Sequence, residues 1–105
     1  MDIIKKLISV LEERKKSDPE KSYVASLYKK GSDTILKKVA EECAEFIMSV
    51  KDRDSSKIIY EAGDLIFHLF VSLIHENISP EKIFEELERR FGTSGIEEKR
   101  KREKQ

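Results

Sequence analysis

One segment of this chain, from Asp54 to Glu76, has apolar residues around most of a helical circumference. At about 100° per residue, its apolar side chains cover every side except one narrow stripe. The stripe consists of Lys57, Glu61, Asp64, His68, Ser72 and His75. A helix that is apolar on nearly every side has to be buried on several sides. The other helices of a 105-residue chain can hardly surround it, so the segment predicts a homodimer with this helix near the interface.

The rest of the chain also shows helical periodicity, with no strand pattern and no internal repeat. The other predicted helices run from about Asp2 to Lys15, from Pro19 to Gly31, from Ser32 or Asp33 to about Lys51, and from Ser79-Pro80 to Gly92. We interpret residues 97–105 as a basic tail with a frayed helical end. The predicted fold is therefore all-α: a single domain over residues 1–105, built as a bundle of about four to five helices and completed by homodimerisation.

Apolar stripes predict which sides of two of these helices face the core. On the helix before Lys51 the stripe is Ile35, Leu36, Val39, Cys43, Phe46, Ile47 and Val50. On the helix after Ser79-Pro80 it is Ile83, Phe84, Leu87 and Phe91. By this prediction Cys43 is a small core residue.

Composition argues against several classes of function. The chain has 21 basic and 21 acidic residues, so no net field attracts nucleic acid or an anionic membrane. One cysteine makes no internal disulfide, and one cysteine with two histidines is too few for a structural zinc site. The first residues show no signal-peptide pattern, and no apolar run approaches the roughly 20 residues of a membrane span. We therefore expect a cytoplasmic protein without nucleic-acid or membrane partners.

Four carboxylates occur as two pairs: Glu42 with Glu45, and Glu61 with Asp64. Side chains three residues apart share one face of a helix. If the two helices pack antiparallel, the pairs can face one another, and four converging charges repel strongly unless a cation lies between them. Oxygen ligands select Mg²⁺, Mn²⁺ or Ca²⁺ over zinc or copper. The pattern predicts a hard-cation site, with Mg²⁺ as the leading candidate and Mn²⁺ as an alternative.

Charge balance connects this site with phosphoryl chemistry. Four carboxylates with one Mg²⁺ keep a charge of about −2, so a polyphosphate requires further cations. Metals in such a site activate a water and neutralise the leaving diphosphate. In a glutamate-rich chain a single acidic pair is typical of a solvated face, but Glu61 and Asp64 lie on the most apolar helix. A di-iron bundle site is the chemical competitor, and it requires a Glu-x-x-His spacing that the stripe lacks.

Several segments resemble a known family. Glu41-Glu42-x-x-Glu45, followed after fifteen residues by Glu61-x-x-Asp64, is similar to the signature of the all-α nucleotide pyrophosphohydrolases, the MazG-like superfamily. Within it, the segments Ser22-Tyr23-Val24-Ala25-Ser26-Leu27 and Ser94-Gly95-Ile96-Glu97-Glu98-Lys99 resemble phosphoribosyl-ATP pyrophosphohydrolase of histidine biosynthesis. The resemblance covers about Pro19 to Arg102. It implies Mg²⁺-dependent hydrolysis of phosphoribosyl-ATP to phosphoribosyl-AMP and diphosphate by a helical homodimer.

Residue roles follow from the resemblance position by position. The implied metal ligands are Glu42, Glu45, Glu61 and Asp64. Glu41 belongs to the motif and is the candidate catalytic residue; it orients the attacking water, holds a second metal, or is simply solvated. The candidate substrate-binding residues are Lys38, Lys30, Tyr23, Arg89 and Lys99, of which Lys38 lies between the acids by helical angle. His68, one helical turn beyond Asp64, either orients a carboxylate or a water, or is a buried, hydrogen-bonded structural histidine.

Two other functions share part of this pattern. A house-cleaning pyrophosphohydrolase for nucleoside triphosphates would have the same acids without the Ser22-Tyr23 segment. A non-enzymatic helical dimer could bind a partner or RNA through its charged faces. The acidic stripe on an otherwise apolar helix argues against this last function.

Overall fold

The computed structural model describes residues 2–92 and 95–103, and within these ranges the chain forms six α-helices and no strand. The helices are α1 (Asp2–Glu13), α2 (Tyr23–Lys30), α3 (Ser32–Asp52), α4 (Ser55–His75), α5 (Glu81–Arg90) and α6 (Gly95–Glu103). A short 3-10 helix, Arg14–Lys16, continues α1. The predicted all-α fold is confirmed. The described tail is helical to Glu103, which agrees with the helical end expected there.

Local capping decides where α2 begins and ends. The hydroxyl of Ser22 accepts a hydrogen bond from the backbone N–H of Ala25 at 3.1 Å, which makes Ser22 the N-cap. Pro19 lies in the preceding turn, so the prediction that it opens this helix is wrong. Gly31 ends α2 with a φ of 97°, a value that residues with a Cβ rarely adopt. The predicted stop at Gly31 is confirmed.

A tight turn makes α3 and α4 adjacent antiparallel helices. Arg53 takes a left-handed conformation after the end of α3, with φ 56° and ψ 31°. The carboxylate of Asp54 then accepts hydrogen bonds from the backbone N–H groups of Ser56 and Lys57 at 3.1 and 3.3 Å. Asp54 is thus the N-cap of α4. These two helices pack against each other more extensively than any other pair among the described residues.

The core of the single chain combines apolar residues from α1, α2, α3 and α4. Its buried members are Leu11, Val24, Leu27, Ile35, Phe70, Val71 and Ile74. The hydroxyl of Tyr28 donates a hydrogen bond to the backbone carbonyl of Leu11 at 2.9 Å, which ties α2 to the end of α1. Burial raises the pKa of Tyr28 to about 12.

Replacing Tyr28 by Phe is expected to lower the free energy of unfolding by about 1 kcal/mol, because the Leu11 carbonyl loses its side-chain donor. The raised pKa of Tyr28 favours the neutral phenol in the folded chain, so its stabilising effect is present below pH 10 and is lost as the pH rises towards 12. Urea titrations at pH 8 and above pH 10 measure both effects. Equal stabilities of the Tyr28→Phe variant and the wild type would contradict the prediction.

Two predicted core stripes are largely exposed in the single chain. Their exposed members are Leu36, Cys43, Ile47, Val50, Phe84, Leu87 and Phe91. The predictions that these residues face the core of the chain are therefore wrong, and Cys43 is an exposed thiol. The physical reason is that a helix stripe identifies an apolar side but not the element that covers it. On α4, Ile59 and Ile66 are exposed in the same way.

Helix α4 is long and apolar enough, by length and composition alone, to cross a membrane. By this measure the expectation that no apolar run approaches such a length is wrong. The central helix of a bundle meets the same criterion. Since α4 carries Glu61, Asp64 and the buried His68 and packs along α3, its hydropathy is weak support for a membrane span.

Candidate metal centre

Four carboxylates from α3 and α4 converge where the two helices pack together. They are Glu42, Glu45, Glu61 and Asp64, and we call them the acidic cluster. One oxygen from each can be chosen so that all four lie within 4.8 Å of one another. The spacing of three residues aligns each pair on one helix face, and the antiparallel turn brings the faces together. The structure therefore places the four predicted metal ligands at one site.

Burial makes this cluster more than a group of surface charges. Glu42 is 4% exposed, Glu61 and Asp64 are partly buried, and Glu45 is exposed. The Oε2 atoms of Glu42 and Glu61 are both buried without a hydrogen-bond partner among the described residues. A buried carboxylate oxygen without a partner is costly in free energy. Two such oxygens in one set of oxygen donors fit the requirements of a hard divalent cation.

The charges in the cluster perturb one another. Burial raises the pKa of Asp64, and its hydrogen bond with Glu42 raises it further. Burial also acts to raise the pKa of Glu42, but hydrogen bonds with Asp64 and Lys38 outweigh it and keep that pKa below its ordinary value. The charge of Glu42 raises the pKa of Glu45. The site thus retains the charge on Glu42 and opposes ionisation of two neighbours, an opposition that a bound cation would remove.

Lys38 lies at the edge of the cluster, as its helical angle predicts. Its Nζ is 3.2 Å from Glu42 Oε1 and 3.7 Å from Glu41 Oε2. The hydrogen bond to Glu42 raises the pKa of Lys38, so the ammonium stays charged. Its side chain remains 32% exposed, which leaves the cation accessible to an anionic ligand. Glu41 is exposed and contacts Lys38 rather than the acidic cluster.

His68 lies next to Asp64 on α4, and both nitrogens of its ring are hydrogen-bonded. Its Nδ1 is 2.8 Å from the backbone oxygen of Asp64, and because a carbonyl only accepts, Nδ1 carries a proton. In the neutral ring Nε2 then accepts, and the hydroxyl of Tyr23 donates to it at 2.8 Å. Glu42, Asp64 and His68 also lie close enough to share an ion. Because both ring nitrogens are already bonded, we assign His68 to holding Asp64 rather than to metal ligation.

Sequence reasoning missed the hydrogen bond between Tyr23 and His68. The two residues are 45 positions apart, on α2 and α4, so no local pattern connects them. The one available signal was that His68 continues the polar stripe of Glu61 and Asp64 by one helical turn. Tyr23 is 51% exposed and is therefore not a residue of the core.

The remaining predicted substrate-binding residues lie elsewhere on the helices. Lys30 is exposed at the end of α2, and Lys99 is exposed on α6; neither forms an ion pair within the described ranges. Arg89 pairs with Glu86 along α5 at 2.6 Å, and Arg89 with Arg90 holds the pKa of Glu86 down at about 2. The geometry brings Lys38 and Tyr23 close to the cluster, and the substrate-binding roles of all five residues stay predictions.

Comparison with known proteins agrees with this geometry. The sequence profile of the family described as phosphoribosyl-ATP pyrophosphohydrolase matches residues 4–91. A phosphoribosyl-ATP pyrophosphatase of Methylococcus capsulatus is 50% identical over 102 residues, which cover 97% of this chain and 97% of the relative. One of Ruthia magnifica is 54% identical over 101 residues, or 96% of each chain. One of Nitrosomonas eutropha is 53% identical over 97 residues, or 92% of this chain and 83% of the relative.

The matched range includes the whole acidic cluster, Lys38, and the pair formed by Tyr23 and His68. About half of all positions are identical to each of these relatives, over nearly the full length of the chain. The resemblance found from the acidic motifs is thereby confirmed. On these grounds the chain belongs to the phosphoribosyl-ATP pyrophosphohydrolase family, a family of hydrolases.

Proposed function

We propose that this protein hydrolyses phosphoribosyl-ATP to phosphoribosyl-AMP and diphosphate, the second step of histidine biosynthesis, with Mg²⁺ as its cofactor and Mn²⁺ as an alternative. One observation carries the proposal: an acidic cluster with two buried, unpartnered carboxylate oxygens in a chain about half identical to phosphoribosyl-ATP pyrophosphatases. The reaction adds water across a phosphoric anhydride and releases the outer two phosphates together.

The acidic cluster would hold the metal, and its donors are all oxygens, as Mg²⁺ prefers. When bound, Mg²⁺ supplies a polarised water and neutralises charge on the phosphates. The four carboxylates carry a charge of about −4, so more than one cation is required once a polyphosphate binds.

The chain's own side chains do the positioning. Lys38 offers a charged ammonium at the edge of the cluster, where it can bind a phosphate oxygen. The hydroxyl of Tyr23 holds the ring of His68 through a hydrogen bond of 2.8 Å, and Nδ1 of that ring lies 2.8 Å from the backbone oxygen of Asp64 and 3.4 Å from its Oδ1. Glu41, exposed next to Lys38, remains the candidate for orienting the attacking water.

Diphosphate release tests the proposal directly. Purified protein with Mg²⁺ and phosphoribosyl-ATP is expected to release one diphosphate per substrate, whereas ordinary and damaged nucleoside triphosphates are expected to react far more slowly. Faster turnover of the triphosphates would favour the house-cleaning function. If a protein with the helical signal of the folded chain releases no diphosphate from any of these substrates, both the proposed function and the house-cleaning function are contradicted.

We further infer that the protein is a cytoplasmic homodimer and that the exposed apolar surface of α4 lies in the interface. Ile59, Tyr60 and Ile66 are 73%, 71% and 49% exposed although they lie on the most apolar helix. Exposed apolar side chains on a central helix are typical of a surface that a second copy covers.

The double variant Ile59→Glu/Ile66→Glu is therefore expected to shift the protein from dimer to monomer, because two carboxylates would be buried in an apolar interface. Light scattering after size exclusion measures the mass against the 12.2 kDa of one chain. Ile96→Glu is the control, since Ile96 is 69% exposed on α6, outside this surface. A monomeric wild type, or a variant that stays dimeric, would contradict the inferred interface.

A further inference from the structure

A second pocket lies next to the acidic cluster and is not explained by the metal centre. Its volume is about 640 Å³, within the range of small-molecule sites. Its walls come from the 3-10 helix, the following turn, the start of α2 and the middle of α4. They include Arg14, Ser17, Asp18, Lys21, Tyr23 and Phe67.

Tyr23 connects this pocket to the cluster. Its ring forms part of the pocket wall, and its hydroxyl bonds Nε2 of His68 at 2.8 Å. On the other side of the same imidazole, Nδ1 is 3.4 Å from Asp64 Oδ1. Phe67, the neighbour of His68 in the chain, lines the pocket as well. The pocket and the acidic cluster therefore lie on the two sides of the hydrogen-bonded pair formed by Tyr23 and His68.

The pocket and the acidic cluster have charges of opposite sign. The pocket has two cations, Arg14 and Lys21, and neither forms an ion pair with any described residue. Its one carboxylate, Asp18, accepts a hydrogen bond from the backbone N–H of Glu20 at 2.9 Å through Oδ1. The second oxygen of Asp18 remains able to accept from a hydroxyl group. Cations, a hydroxyl acceptor and aromatic rings are the groups that bind a sugar phosphate on a purine.

We propose that this pocket binds the phosphoribosyl end of the substrate, with Arg14 and Lys21 on its phosphate and Asp18 on a ribose hydroxyl. The inference rests on the proposed function, because phosphoribosyl-ATP has a phosphate at the end opposite its triphosphate and ATP does not. The triphosphate lies at the acidic cluster and the second phosphate lies in the pocket. The pocket is then the part of the molecule that distinguishes phosphoribosyl-ATP from ordinary ATP.

The double variant Arg14→Ala/Lys21→Ala is expected to raise the KM for phosphoribosyl-ATP about 100-fold, or about tenfold per charged contact, with kcat unchanged. Calorimetry provides a readout without turnover: the wild type binds phosphoribosyl-AMP more tightly than AMP, and the variant loses that preference. Both residues are exposed, so the melting temperature is expected to stay the same. Lys16→Ala/Lys29→Ala removes two exposed charges outside the pocket and is the matched control.

The possible results distinguish failure of the pocket assignment from failure of the proposed function. An unchanged KM, or a lower kcat at constant KM, overturns the pocket assignment while wild-type turnover leaves the proposed function intact. Equal wild-type affinities for phosphoribosyl-AMP and AMP also overturn it. If the wild type fails to hydrolyse phosphoribosyl-ATP, the proposed function fails, and the calorimetric comparison still decides whether the pocket recognises a phosphoribosyl group.

Discussion

Replacing Glu42 by Gln is expected to reduce Mg²⁺-dependent diphosphate release by more than about 100-fold. Mutating a residue that merely supports a metal ligand already lowers metal affinity or activity by about 10- to 100-fold, and Glu42 is a proposed ligand itself. It is the most buried acid of the cluster, belongs to both groups that could share an ion, and has one oxygen without a partner. An amide offers one neutral oxygen in place of two charged ones, so the metal loses a ligand and the phosphates lose the cation that would neutralise them.

The measurement is kcat/KM for phosphoribosyl-ATP over a range of Mg²⁺ concentrations. Glu88→Gln removes one exposed carboxylate on α5, outside the cluster, and should leave the rate unchanged. A melting temperature near that of the wild type would show that the variant folds. Activity within a factor of about two of the wild type at every Mg²⁺ concentration would rule out Glu42 as a ligand.

Mg²⁺ is expected to raise the melting temperature of the wild type by about 10 °C or more. A ligand at 100 times its Kd stabilises the folded state by about 2.7 kcal/mol, and each kcal/mol raises the melting temperature of a small domain by about 4–8 °C. The melting temperature of the Asp64→Asn variant should not rise when Mg²⁺ is added. Without Mg²⁺, the same variant should melt above the wild type, because burial and Glu42 oppose the charge on Asp64.

Thermal denaturation is measured once with excess chelator and once with Mg²⁺, and NaCl is adjusted so that the ionic strength is the same. The first condition gives the melting temperature without metal, and the difference between the two gives the stabilisation by Mg²⁺. The opposite signs of the two shifts for Asp64→Asn make the test specific, because simple damage to the fold would lower both values. An equal Mg²⁺ increment in the variant and the wild type would contradict a metal site at this cluster.

The same charges predict how the metal-free protein responds to pH. The pKa values of Asp64 and Glu45 are raised, so the folded chain binds their protons more tightly than the unfolded chain does. Stability is then highest when both are protonated and falls as the pH rises through their folded-state pKa values. Glu42 and Glu86 have lowered pKa values, that of Glu86 at about 2, and act in the opposite direction: their stabilising contributions are lost as the pH falls below the ordinary range of a glutamate. Bound Mg²⁺ should remove the loss of stability that the acidic cluster causes as the pH rises.

Helix positions and the acidic pairs were accessible from sequence because both depend on local geometry. Asp54 caps α4 and Gly31 ends α2 through contacts within a few residues, and such contacts leave direct signals in sequence. The error at Pro19 shows the limit of the same reasoning. A proline suits a first helical turn, but Ser22 provides the side-chain acceptor that a helix N-terminus requires.

The set of buried residues was predicted less well, because an apolar stripe identifies the apolar side of a helix but not the element that packs against it. Leu36, Ile47 and Phe91 lie on predicted core stripes and are all more than half exposed in the single chain. The inferred second copy would account for part of this surface. Cys43 was assigned to the core by the same reasoning and is exposed.

By itself, the sequence determined that the chain is helical, that two carboxylate pairs occur at helical spacing, and that these pairs resemble a hydrolase family. The first two properties follow the period of the helix, and none of the three needs knowledge of distant neighbours. Only the tertiary structure decided which carboxylate oxygens are buried without partners, that Tyr23 bonds His68, and that Arg14 and Lys21 share a pocket with Phe67. Each of these depends on packing between segments far apart in the chain, and local backbone geometry carries no information about such contacts.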